Sequence, residues 1–111
     1  MQGTFVAAQP YFNDAVAAAA QQVKSGNGQL HGLKLVNTTA ALAYLLIWDA
    51  LAANVVVGTT PPTLAIRLAA NESIYLPFYL PIGFKNGILI AGETLLTGGV
   101  GAAISVMAAY Q

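Results

Sequence analysis

Turn signals punctuate this chain at short intervals, and that spacing constrains its fold more than any other feature. Gly26-Asn27-Gly28, Asn37-Thr38-Thr39, Gly58-Thr59-Thr60-Pro61-Pro62, Asn71-Glu72 and Lys85-Asn86-Gly87 recur along it, marking off short segments as in a sandwich or barrel rather than βαβ units. The runs between them alternate. Leu64, Ile66 and Leu68 interleave with Thr63, Ala65 and Arg67; Ile74, Leu76 and Phe78 interleave with Ser73, Tyr75 and Pro77. Near the C-terminus Ile104, Val106, Ala108 and Tyr110 share one face, and Ser105, Met107 and Ala109 share the other. Period two is the pattern of a half-buried strand. Asn86-Gly87, with Phe84 before it and Ile88-Leu89-Ile90 after, is the best hairpin turn, because both residues tolerate positive φ. The expected fold is all-β, a single sandwich over residues 14–111.

Two stretches stay open. Residues 13–24 are alanine-rich, with Asn13 as a possible N-cap and Gly26 as a stop, which propensity reads as helix. Val16, Ala18 and Ala20 equally fit one face of a strand. Residues 49–54 are compatible with a helical turn after Trp48. Residues 1–13 show no period despite Phe5, Tyr11 and Phe12, so an extended N-terminal arm is expected there, anchored on a neighbour by its aromatics.

Composition decides what surrounds such a sandwich. Only four basic and four acidic residues stand in 111, against 57% hydrophobic, and a domain of this size buries only roughly two-thirds of its surface. Much of the exterior is therefore expected to lie in a membrane or against other protein. Zero net charge, with Lys24, Lys34, Arg67 and Lys85 scattered, argues against nucleic-acid binding, which draws its affinity from clustered cations. The absence of cysteine removes disulfides and thiolate metal sites. Met1-Gln2-Gly3-Thr4-Phe5 lacks the features of a secretory signal, which suggests cytoplasmic synthesis. The best membrane candidate, residues 40–58, places Asp49 near its centre and Asn54 beyond it, and a spanning helix needs about twenty apolar residues.

Catalytic parts are scarce. His31 is the lone histidine, in an expected strand, and Asp14, Asp49, Glu72 and Glu93 are widely separated and near turns. Gly98-Gly99-Val100-Gly101 lacks the Gly-Lys-Ser/Thr ending of a phosphate loop, and Ser105 has no Gly-x-Ser-x-Gly around it. No enzyme, cofactor or metal is expected. The aromatics say more. Alternation through Tyr44-Leu45-Leu46-Ile47-Trp48 leaves both faces apolar, whereas an antiparallel strand commonly keeps one solvated face. This strand is central to a core or covered by a partner. In Tyr75-Leu76-Pro77-Phe78-Tyr79-Leu80-Pro81 the prolines forbid a central ladder position, which suits an edge or loop beside a neighbouring subunit.

A family resemblance follows from these pieces. Val23-Lys24-Ser25-Gly26-Asn27-Gly28, then Gly32-Leu33-Lys34-Leu35-Val36-Asn37-Thr38-Thr39-Ala40-Ala41 and Ala43-Tyr44-Leu45, resemble the pattern of short tailed-bacteriophage virion proteins of the head decoration (cement) type. So do Val57-Gly58-Thr59-Thr60-Pro61-Pro62-Thr63-Leu64-Ala65-Ile66, Leu76-Pro77 and Gly83-Phe84-Lys85-Asn86-Gly87-Ile88. The resemblance implies a jelly-roll-like sandwich, with residues 15–24 as strand. It also implies a structural virion protein on the capsid exterior, bound to the major capsid protein and to itself as a homotrimer. The expected contact residues are Phe5, Tyr11, Phe12, Tyr44, Trp48, Tyr75, Phe78 and Tyr79. Leu46, where these proteins often carry a polar residue, and the tail after Glu93, which lacks their Thr/Ala-rich turn, depart from the pattern. A tail- or fibre-associated binding module is the alternative reading, ahead of a small holin-like membrane protein.

Overall fold

A computed structural model of the chain describes residues 8–95 and 100–111. Eight strands carry the fold: β1 (Gln9–Val16), β2 (Gln21–Ser25), β3 (Gly28–Asn37), β4 (Ala43–Trp48), β5 (Leu64–Leu68), β6 (Ser73–Phe84), β7 (Gly87–Glu93) and β8 (Ile104–Tyr110). A 3-10 turn at Ala52–Asn54 follows β4, where the sequence allowed a helical turn. The strands form two four-stranded antiparallel sheets, β1-β8-β3-β6 (sheet 1) and β2-β7-β4-β5 (sheet 2). Among the described residues no helix is long and apolar enough to cross a membrane.

The pairing is nested: β4 with β5, β3 with β6, β2 with β7 and β1 with β8. The chain is one long hairpin, folded at the β4–β5 connection and rolled so that successive pairs fall in alternate sheets. That is the connectivity of a jelly roll. Between the sheets lie the inward residues that alternation selected, among them Leu33, Leu35, Leu45, Ile47, Leu68, Ile88, Ile90, Ile104 and Val106, all buried. The prolines of β6 are accommodated because β6 is the edge of sheet 1, where a missing N–H interrupts nothing on the free side.

Two local expectations change, and a stretch left open between helix and strand is decided. Asn86-Gly87 does not close a hairpin, since β6 belongs to sheet 1 and β7 to sheet 2; it is a corner turn between the sheets. Of the pair only Gly87 has positive φ, at 156°, and a Cβ there would stand 2.8 Å from the Ala50 carbonyl oxygen. The corner turn at Gly26 lies alongside, its N–H donating to the Asn86 carbonyl at 3.0 Å. The expected arm boundary at residue 13 falls inside β1, which pairs with β8 from Gln9↔Tyr110 to Asn13↔Val106. Tyr11 turns inward against the core, a pattern that Pro10 and Phe12 obscure in the sequence. Residues 13–24 form no helix, because Val16 and Val23 each supply a buried core side chain from strand and the alanines between them carry the chain from one sheet to the other.

Candidate association surface

The outer face of sheet 2 is sealed by its own chain. Leu46 and Trp48 of β4 and Leu89 and Ala91 of β7 form a second apolar cluster, packed beneath Ala20, Ala50, Val55 and Val57. Trp48 is 2% exposed, and its indole N–H donates to the Thr60 carbonyl at 3.0 Å. The covering segment is pinned on both sides. The Gln22 amide donates to the carbonyls of Ala50 and Ile88, each at 3.1 Å, and its Oε1 accepts the Ala52 N–H at 2.9 Å. The Asp49 carboxylate accepts the N–H groups of Asn86 at 2.8 Å and Lys85 at 3.0 Å, while its own N–H donates to Thr63 Oγ1 at 3.0 Å. Those turn N–H groups, Asn86 foremost, hold the Asp49 carboxyl below its ordinary pKa against the opposing effect of burial. The doubly apolar strand is thus central to a core that the chain completes itself.

Among the described residues nothing covers the outer face of sheet 1. Register places Phe12, Met107, Lys34 and Tyr75 in one row across β1, β8, β3 and β6. Their exposure shows how little covers them: Phe12 is 61% exposed, Met107 50% and Tyr75 71%. Lys34 is the single charge in the row. The next row, Pro10, Ala109, Gly32 and Pro77, is low by comparison. A groove of about 470 Å³ lies over it, lined by Gly32, Ala109, Lys34, Met107, Tyr75 and His31 among others. His31 Nε2 is 2.9 Å from Gln111 Oε1.

Beside the groove the edge strand is irregular. Gly32 pairs with Pro77 and Leu30 with Ile82, so residues 78–81 of β6 stand opposite His31 alone. Such an excess makes a bulge and re-aims side chains. Phe78 and Ile82 pack back on the core, while Tyr79 is 98% exposed and Leu80 76%. Alternation puts Tyr79 on the same side of β6 as Tyr75 and Pro77.

Of the residues expected at contacts, Phe12, Tyr75 and Tyr79 therefore gather on the open side of sheet 1. Tyr11 and Phe78 are half-buried against the inner core and Tyr44 against the outer cluster. Trp48 lies under its own chain, and Phe5 falls outside the described residues. Sequence reasoning missed Lys34, Met107 and Leu80 and the small residues Gly32 and Ala109. Met107 and Ala109 had a signal, their alternation against Val106 and Ala108; the bulge that lifts Leu80 had none.

The titratable groups stand apart. Glu72 Oε1 accepts the Ala69 N–H at 2.7 Å within the β5–β6 turn, and Asp14 is exposed on β1. Glu93 is the exception. It sits opposite Tyr44, which in turn sits opposite Arg67, is 2% exposed, and its Oε2 has no hydrogen-bond partner among the described residues. Burial pushes its pKa up. Among the described residues no group of three or more His, Cys, Asp or Glu is placed to hold a metal ion.

No family model matches the chain, and no curated protein matches it. Among solved structures the chain is similar to one titled "Crystal structure of PirA", at 10% identity and a TM-score of 0.39 over 98% of each chain. A likeness of that order bears on neither fold nor function.

Proposed function

We propose that this chain is a structural virion protein that binds the outside of a phage capsid as a decoration, or cement, protein, in contact with the major capsid protein and with other copies of itself. The reading is supported by one contrast: sheet 2 is closed by its own chain, and sheet 1 presents an apolar row to the outside. Contiguous exposed apolar surface on a small domain marks a place where something else binds. The jelly roll supplies a stiff block behind that surface, and the near absence of charge suits lasting burial, since obligate interfaces resemble a domain core cut in half. A cement protein does no chemistry. It binds the assembled shell and stabilises it by mass action on the bound state.

The test is fractionation of purified particles incubated with the chain. Co-sedimentation with heads, and slower loss of packaged DNA from those heads on heating, is expected. Recovery with tails or fibres would replace this reading with the binding-module alternative, and recovery with membranes would overturn both.

A further inference from the structure

We propose that two copies of this chain pair by a two-fold exchange, in which Tyr79 of each copy seats in the groove over Gly32 and Ala109 of the other. The inference goes beyond attachment to a capsid, concerns the isolated chain, and puts a two-fold pair where the resemblance implies a homotrimer.

The bulge and the groove are the two irregular features of the open side, and they are complementary. Four residues of β6 against the single His31 raise an apolar knob; a row of Pro10, Ala109, Gly32 and Pro77 leaves a shallow trough beside it. Tyr79, at 98% exposure, touches almost nothing of its own chain. Gly32 adds no side chain to the floor of the trough, where a Cβ would already be in contact with the Leu76 carbonyl oxygen at 3.4 Å.

Position selects the symmetry. Knob and groove adjoin on one side of the molecule, the bulge beginning at the residue after Pro77. A head-to-tail ring needs the two features on different sides, whereas an isologous pair satisfies both at once. The area suffices. With aromatics covering roughly 150–250 Å² each, Tyr79, Tyr75 and Phe12 together with Met107 offer roughly 600 Å² per copy, about 1,200 Å² for the pair, the lower limit of a standard interface. Charge does not oppose it. The knob is neutral, and Lys34 on the groove wall has a stem long enough to keep its ammonium in water. Simple strand-to-strand addition along β6 is disfavoured, because Pro77 and Pro81 carry no N–H to give.

Sedimentation equilibrium of the isolated chain over a concentration series tests the pairing, beside Tyr79→Glu. The wild type should fit a monomer–dimer equilibrium, and Tyr79→Glu should weaken it by roughly tenfold or more, the cost of losing a central aromatic anchor. Because the chain has no cysteine, a mixture of Tyr79→Cys and Ala109→Cys chains should give an oxidised dimer holding one of each, beyond any dimer of either variant alone. A wild type of one copy or of three, an unchanged equilibrium in Tyr79→Glu, or no mixed disulfide would each overturn the proposal.

Discussion

The two sheets of this sandwich have almost the same architecture and opposite fates. Each is four antiparallel strands with apolar side chains on its outer face: the pairs Leu46–Ala91 and Trp48–Leu89 on sheet 2, the row of Phe12, Met107 and Tyr75 around Lys34 on sheet 1. Sheet 2 is covered by the connection between β4 and β5, which is the one link of the roll that stays within a sheet and so is free to fold back over it. Sheet 1 has no such cover among the described residues. An apolar outer face is therefore not by itself a binding face. What distinguishes the two is whether the chain has spare length to lay over it.

The strongest way to break the comparison is to cut into the sealed side. Trp48→Ala should cost about 3–5 kcal/mol, with a correspondingly lowered melting temperature, because it removes a buried ring and the hydrogen bond to Thr60. Unpinning the cover should cost less. Gln22→Ala leaves the Ala50 and Ile88 carbonyls without their amide donor, about 1–2 kcal/mol in a denaturant titration.

Acid–base behaviour sharpens the contrast further, since the buried Glu93, whose Oε2 has no hydrogen-bond partner among the described residues, also belongs to sheet 2. Its folded pKa lies above the unfolded value, so the stability it permits is whole below about pH 4.5 and is lost as pH rises through the folded pKa. Glu93→Gln should remove that loss and stabilise the chain at neutral pH, with little effect in acid. Asp49 runs the other way. Its depressed pKa gives stability above about pH 3.8 that disappears as pH falls through the folded value, and Asp49→Asn should flatten the acid limb of the melting profile. The smallest effect belongs to the open side: Tyr75→Ala in dilute solution should change unfolding stability by no more than about 0.5 kcal/mol. A loss comparable to that of Trp48→Ala would mean that sheet 1 is as closed as sheet 2.

Alternation made much of this legible from the residues. The faces of β5 and β8, the inward start of β6 and its place at an edge all follow from period two and from Pro77 and Pro81. The doubly apolar β4 was equally plain, but its cover was not, because nothing local tells residues 55–60 that they will lie on Trp48. Sheet membership was hidden for the same reason: Asn86-Gly87 turns the chain sharply whether the next strand pairs with the last or crosses to the other sheet. The knob was hidden most completely. It exists only in the register of β6 against β3, where Gly32 and Leu30 fix the ladder on either side of His31 and the surplus residues have no place in it. Alanine, finally, carries no period, and residues 17–20 had to be read from the Val16 and Val23 that flank them.

Oxidative footprinting of the chain, dilute and then assembled, tests the distinction between the sheets most directly. In the dilute chain Met107, Tyr75 and Tyr79 should be modified readily and Trp48 hardly at all; on association the first three should become protected while Trp48 stays as it was. A Trp48 that reacts in the dilute chain and gains protection on assembly would show that sheet 2 is the contact face and contradict the account.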